Sequence, residues 1–225
     1  MTPGDIAGNV ARVRERIERA CARGRREPGS VRLIAVTKTH PVAMVEAAYA
    51  AGVRDFGESR VQEALPKIAA ARAAGVEATW HLIGHLQTNK TAAAIDAFDI
   101  LHSVDSIRLA EALSRRAARK LKVLLEVNVA REASKEGVVA ADLPAFLREV
   151  RQLANLEVAG LMTVAPRVEN PEQARPVFRR LRELRDELGV GELSMGMTGD
   201  FEVAIEEGAT MVRVGRALFG ERQGR

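Results

Sequence analysis

From Val31 onward the chain alternates two hydrophobic patterns. Short, nearly continuous apolar runs read as strands buried on both faces, the habit of a parallel sheet. They fall at residues 31–37, 53–57, 79–84, 99–104, 122–129, 157–164, 192–196 and 210–214. Between them, apolar residues recur at the helical period and predict helices near 42–51, 61–74, 90–97, 107–120, 143–154, 171–188 and 201–207. Punctuation agrees. Asn170 before Pro171 reads as an N-cap followed by a proline at the first helical position. Gly52, Gly75, Gly189 and Gly208 stand where helices should stop. Ahead of all this, Ile6, Val10, Val13, Ile17 and Cys21 recur at helical spacing and predict one opening helix.

Eight strand patterns separated by helices, with no Ser/Gly-rich linker, predict an α/β fold: a single (β/α)8 TIM barrel over residues 1–225, preceded by one extra helix. A doubly wound open sheet is the competing topology. The barrel makes a demand, because its functional side chains should gather after the C-terminal ends of the strands. They do. Lys38-Thr39-His40-Pro41 follows the first strand, Gly57-Glu58-Ser59-Arg60 the second, and Gly84 to Lys90 the third. The fifth ends near Asn128, the sixth near Met162-Thr163, and the eighth at Arg213 to Arg216.

Charge and cysteine content narrow the function classes. The net charge is +4, and residues 12–26 are rich in arginine. Glu15 and Glu18 interrupt that stretch, and no zinc-finger spacing or aromatic-rich strand accompanies it, so no dedicated nucleic-acid role is expected. No apolar run reaches membrane-spanning length and the opening residues lack a signal-peptide pattern. With a single cysteine, Cys21, no internal disulfide forms, and a cytoplasmic protein is expected. Cys21 reads as part of the packed helix face.

Lys38 carries the chemistry. Only six of the 34 basic side chains are lysine. Arginine stays protonated, whereas a desolvated lysine amine attacks an aldehyde to give a Schiff base. At the other end of the chain, Ser194-Met-Gly-Met-Thr-Gly-Asp200 links the seventh strand to a helix that Thr198 could cap. Such a loop offers backbone N–H groups to an anion. With Gly215 after the eighth strand, it lies where barrels of this type hold phosphate. A phosphate there and a lysine on the neighbouring first strand are what pyridoxal phosphate needs. An inward-pointing Arg213 would donate to the pyridine nitrogen and weaken the ring as an electron sink.

Several segments together resemble one family. They are Val36-Thr-Lys38, Phe56-Gly-Glu-Ser-Arg-Val-Gln-Glu63, Trp80-His-Leu-Ile-Gly-His-Leu-Gln-Thr-Asn-Lys90, Ser194 to Asp200, and Val212-Arg-Val-Gly215. Their order and spacing are similar to those of the pyridoxal phosphate homeostasis proteins. The resemblance implies a barrel like the alanine racemase N-terminal domain, with pyridoxal 5'-phosphate held as a Schiff base on Lys38. It also implies phosphate contacts from Ser194, Met195, Gly215 and Arg216, and pairing of Arg213 with the ring nitrogen. The implied role is regulation of intracellular cofactor supply without an established reaction; buffering or delivery of the cofactor to apo-enzymes that depend on it, by a monomer with no robust reaction of its own, is the expectation. Two positions depart from the family pattern. Ser59 replaces an asparagine expected to touch a ring substituent, and Arg216 replaces a small hydroxyl residue. Thr198 for serine is a mild change.

The alternative is an amino-acid racemase with weak activity. Racemisation needs a second acid/base opposite the lysine, and Tyr49, the only tyrosine, falls in the helix after the first strand. His81 and His85 bracket a strand end without carboxylates at ligand spacing, so no metal is expected. His40, Lys90 and Lys135 read as solvated loop residues, and Trp80 and Met162 as packing at or inside the barrel.

Overall fold

The eight strand patterns become the staves of a closed barrel in the computed structural model, which describes residues 6–130 and 136–220. The strands are β1 (Arg32–Val36), β2 (Asp55–Glu58), β3 (Thr79–Leu82), β4 (Ile100–Val104), β5 (Leu121–Asn128), β7 (Leu156–Met162), β8 (Glu192–Met197) and β9 (Met211–Val214). A two-residue strand, β6 (Val138–Val139), lies alongside Val127 and Asn128 of β5. Every pairing is parallel, in the order β1-β2-β3-β4-β5-β7-β8-β9. The barrel closes where Leu33 of β1 meets Val212 of β9.

Helices cover the outside: α1 (Ile6–Arg23), α2 (Val42–Ala50), α3 (Val61–Ala73), α4 (Thr91–Ala97), α5 (Ile107–Arg116), α6 (Leu143–Arg151), α7 (Arg175–Leu188), α8 (Phe201–Glu206) and α9 (Arg216–Phe219). The strands carry apolar residues on both faces because each face meets a core, although His81, His102, Ser194 and Arg213 stand among the inward positions. Outward residues such as Phe56, Trp80, Leu125 and Val212 pack under the helices. Ile34, Ile100, Leu124, Met162 and Met211 form a smaller cluster inside the barrel. Trp80 and Met162 therefore belong to different cores, Trp80 against Phe56 outside and Met162 within.

The pattern erred at several helix ends. The expected helix over 171–188 is a 3-10 turn (Pro171–Ala174) followed by α7, because Pro176 in the first turn of α7 has no N–H to continue an earlier helix. Asn170 does cap that turn, accepting from the Glu172 N–H at 3.0 Å. The helix expected to reach 120 stops at Arg116, where Ala117 turns extended and buries its side chain. Thr198 does not cap α8. Asp200 holds the N-cap position instead, its carboxylate accepting from Met197 N–H at 2.6 Å. β6 and α9 escaped the sequence because two and four residues are too short to show a period.

The opening helix packs as its spacing demands, burying Ile6, Val10, Val13, Ile17, Ala20 and Cys21. It lies against α2, α8 and α9. Its basic face is tied to the barrel. Arg14 donates to the carbonyl of Gly52, Arg16 pairs with Glu202, Arg23 with Glu206, and Arg26 donates to the carbonyls of Ile205 and Ala209. No helix among the described residues is long and apolar enough to cross a membrane.

Candidate functional site

β1 delivers Lys38 to the C-terminal mouth of the barrel, two residues past its last residue, Val36. Lys38 is half-buried between Thr37, which is wholly buried, and Thr39, which is exposed. Three neighbours fix this short stretch. Thr37 Oγ1 donates to Glu58 Oε1 at 2.8 Å, and Lys67 Nζ reaches both Glu58 Oε1 and the Thr37 carbonyl at 2.7 Å. Thr39 adopts a left-handed backbone, φ 67°, costly for a β-branched residue. Its N–H donates to Glu63 Oε1 at 2.5 Å, which holds that conformation in place. Glu58 is fully buried, its Oε2 has no hydrogen-bond partner, and burial raises its pKa against the pull of Lys67 and Thr37.

Sequence reasoning quoted Glu58 and Glu63 inside a motif but gave neither a task. Lys67 was missed altogether. The available signal was position: Glu58 ends β2 at the mouth, and Lys67 lies on the helix that follows.

β9 brings Arg213 inward. Only 4% exposed, it donates from Nη1 to Ser194 O and Oγ at 2.8 and 2.6 Å, and from Nη2 to Thr163 O at 2.8 Å. Burial pulls its pKa down to about 10, with Glu126 and Asp200 opposing the shift, so it stays a cation at neutral pH. Gly215 sits two residues further on, against the end of β1. A Cβ placed there would meet the Val36 carbonyl at 3.4 Å. Lys38, Arg213 and Gly215 therefore gather on adjoining strands.

The remaining candidates spread around the rim. Ser59 is half-buried after β2, and its backbone packs so tightly on Gly84 that a Cβ there would lie 2.3 Å from the Ser59 carbonyl. Thr198 occupies the tight turn closed by the Asp200 N–H on the Met197 carbonyl at 3.0 Å. Gly196 before it has φ 90°, and an added Cβ would strike Ala204 at 2.6 Å, so α8 can pack this closely only on glycine. Arg216 opens α9 with an exposed side chain. Ser194 and Met195 are wholly buried. The Ser194 hydroxyl lies between Arg213 and His102, and Met195 packs in the outer core.

The histidines divide as their strand-end position implied. His81 is buried inside the barrel, whereas His85 faces outward at the mouth. Spacing along the chain hid the partners of His85. Asp105 and Glu136 reach it from other βα loops, and the three ligand atoms lie within 4.8 Å of one another. Glu126 stands near them, its carboxyl pushed up to about 7 chiefly by burial and next by Asp105. His40 stacks obliquely on Phe219, 5.1 Å between centroids. Lys90 ends a 3-10 turn, and Lys135 falls outside the described residues. Tyr49 lies near the end of α2, its ring covered by Arg54 at 4.1 Å, at the end of the barrel opposite Lys38.

Known proteins share this fold. A profile of the alanine racemase N-terminal domain matches residues 8–223. The pyridoxal phosphate homeostasis protein of Pseudomonas aeruginosa is 46% identical over 222 residues, 96% of each chain. That of Aquifex aeolicus is 45% identical over 223 residues, 95% of this chain and 97% of the relative. The structure of PipY from Synechococcus elongatus with PLP (pyridoxal phosphate) bound superposes with a TM-score of 0.83 at 41% identity, over 96% of this chain and 100% of that one. Alanine racemase from Corynebacterium glutamicum, 20% identical with a TM-score of 0.73, covers 97% of this chain with 62% of its own and shares the fold. The chain belongs to the pyridoxal phosphate homeostasis protein family, built on the barrel of the alanine racemase N-terminal domain.

Proposed function

We propose that this protein binds pyridoxal 5'-phosphate at the barrel mouth, with Lys38 Nζ as the point of covalent attachment, and serves cofactor homeostasis rather than catalysis. The observation that carries the reading is the inward Arg213, fixed on the strand beside the one that carries Lys38. One hydrogen of its Nη2 goes to Thr163, and the other is the donor for a ring nitrogen. A permanent cation there disfavours a second positive charge on the ring. When bound, the cofactor supplies an aldehyde for the lysine and a ring able to withdraw electrons. A cation at the ring nitrogen restrains the second property and leaves the first intact, which suits storage and delivery.

Phosphate falls to the rim opened by Thr198, Gly215 and Arg216, next to the strand that carries Lys38. Because the Ser194 hydroxyl is engaged below the mouth and the Met195 side chain packs in the outer core, these two residues of β8 contribute by carrying the strand up to the turn at Thr198. Ser59 faces the ring from the β2 side. The names of the Pseudomonas and Aquifex relatives and the PLP-bound PipY structure support the cofactor. The non-catalytic role is supported by the lack of a tyrosine near Lys38 to act from the opposite side. We extend the proposal to a cytoplasmic monomer that passes cofactor to apo-enzymes. A buried, unpaired Cys21 suits a reducing compartment.

Lys38→Ala tests the attachment. The natural protein should take up pyridoxal phosphate and gain a visible absorbance band, whereas Lys38→Ala should gain none while its unfolding temperature stays within a few degrees. A Lys38→Ala protein with the same band would overturn the assignment.

A further inference from the structure

The barrel interior beneath the mouth is not uniformly apolar. Five polar side chains from five strands touch in a row. Asp55 Oδ1 lies 3.0 Å from His81 Nε2, and His81 Nδ1 lies 2.9 Å from His102 Nε2. His102 Nδ1 lies 2.9 Å from Ser194 Oγ, which accepts from Arg213 Nη1 at 2.6 Å. The row starts at the first residue of β2 and ends on a guanidinium that reaches Thr163, one residue past β7. It therefore crosses the barrel from floor to mouth. His81, His102 and Ser194 are wholly buried. Asp55 keeps 18% of its side chain exposed and lines a floor cavity of about 330 Å³ beside Arg14, Glu18 and Arg54.

Donor and acceptor chemistry gives the row a direction. A carboxylate only accepts, so His81 carries its hydrogen on Nε2. A guanidinium only donates, so Ser194 Oγ accepts from Arg213 and turns its own hydrogen to His102 Nδ1. Burial holds the pKa of His102 well below the usual imidazole range, His81 and then Arg213 adding to the effect, so its ring is neutral and has one N–H. That hydrogen sits on Nε2 and goes to His81 Nδ1. The two ends reach the same assignment. Each bond donates toward Asp55, and such aligned bonds polarise one another.

We propose that Asp55, His81, His102 and Ser194 are positioning residues for Arg213. They fix the orientation of its guanidinium and set how firmly it keeps the cofactor's ring nitrogen unprotonated. Asp55 is the anchor at the far end, open to the floor cavity. The proposal rests on the reading of the mouth given above. Other charges also act on the row. Glu126 from β5 and Asp200 from the turn before α8 act on Arg213, and Arg32 from β1 acts on His102.

Asp55→Asn separates positioning from mere satisfaction of buried groups. The amide keeps the size and can still hydrogen-bond, but it can also donate to His81 Nε2. That permits the opposite tautomer and reverses every bond up to Ser194. Long-range 1H–15N spectra of the cofactor-free protein read the tautomers directly. The natural protein should show His102 neutral at about pH 7, with the hydrogen on Nε2 of both His81 and His102, and Asp55→Asn should change the tautomer of His102. In the cofactor-loaded protein, Asp55→Asn should move the pH midpoint of the visible band by at least about half a unit.

A natural protein with His102 charged, or protonated on Nδ1, overturns the proposal whether or not cofactor binds. So does a His102 unaffected by Asp55→Asn, or a midpoint that stays put while His102 changes. A natural protein that takes up no cofactor overturns the reading of the mouth, and with it the link from Arg213 to the ring. The tautomers remain a separate readout.

Discussion

Glu126 is the residue whose charge is most delicately placed. It sits near the end of β5, half-buried, with Asp105 and Glu136 nearby, and its carboxyl titrates at about 7. The folded protein thus holds this proton more tightly than the unfolded chain does. Its favourable contribution is complete below the ordinary carboxyl range and is lost as pH rises toward 7. Glu126→Gln should therefore be more stable than the natural protein at pH 8, by about 1–3 kcal/mol. At pH 4 to 5 the two should be nearly equal. Chemical denaturation at both pH values checks this, and an equal gain at both would show that the charge is not the cause.

Lys38 and Arg213 were legible in the sequence because a lysine or arginine at a strand's end has a fixed place in a barrel. The Glu58–Lys67 pair was not. It joins a strand end to a helix face nine residues on, and no short-range spacing marks such a contact. The histidine row was hidden for a similar reason, since its members come from separate strands and meet only when the barrel closes.

Elements were easier to read than contacts. All eight barrel strands follow from short, largely apolar runs, and α1 from one apolar stripe. What the pattern does not carry is how closely elements approach. The β2 and β3 loops meet backbone to backbone at Ser59 and Gly84. A methyl group there would wedge them apart beside the proposed ring contact. Gly84→Ala should cost about 1–3 kcal/mol of stability and weaken pyridoxal phosphate binding by about tenfold or more. Equilibrium titration followed by absorbance would show it, and unchanged affinity would place the ring away from Ser59. The basic face of α1 also reads differently once folded. Its dense arginines suggest a solvated surface, but Arg14, Arg16, Arg23 and Arg26 are bound to carbonyls and carboxylates of the barrel.

The whole molecule has two ends with separate chemistry. The mouth gathers Lys38, Arg213, Gly215 and the acidic group around Glu126. The floor holds Asp55, Tyr49 and the cavity between α1 and the first strands. With Tyr49 on the far side of the barrel, the cofactor-loaded protein should interconvert alanine enantiomers far more slowly than about 10 turnovers per second, the median for enzymes. Chiral chromatography of the product decides this, and a rate in the enzymatic range would make the protein a racemase.

The central claim is that pyridoxal phosphate is attached at Lys38. Its most direct test is to load the natural protein with the cofactor, reduce it with borohydride and map the modified peptide by mass spectrometry. The account predicts one phosphopyridoxyl group, on Lys38. A group fixed on another lysine, Lys67 or Lys90 for example, or no modification at all, would contradict it.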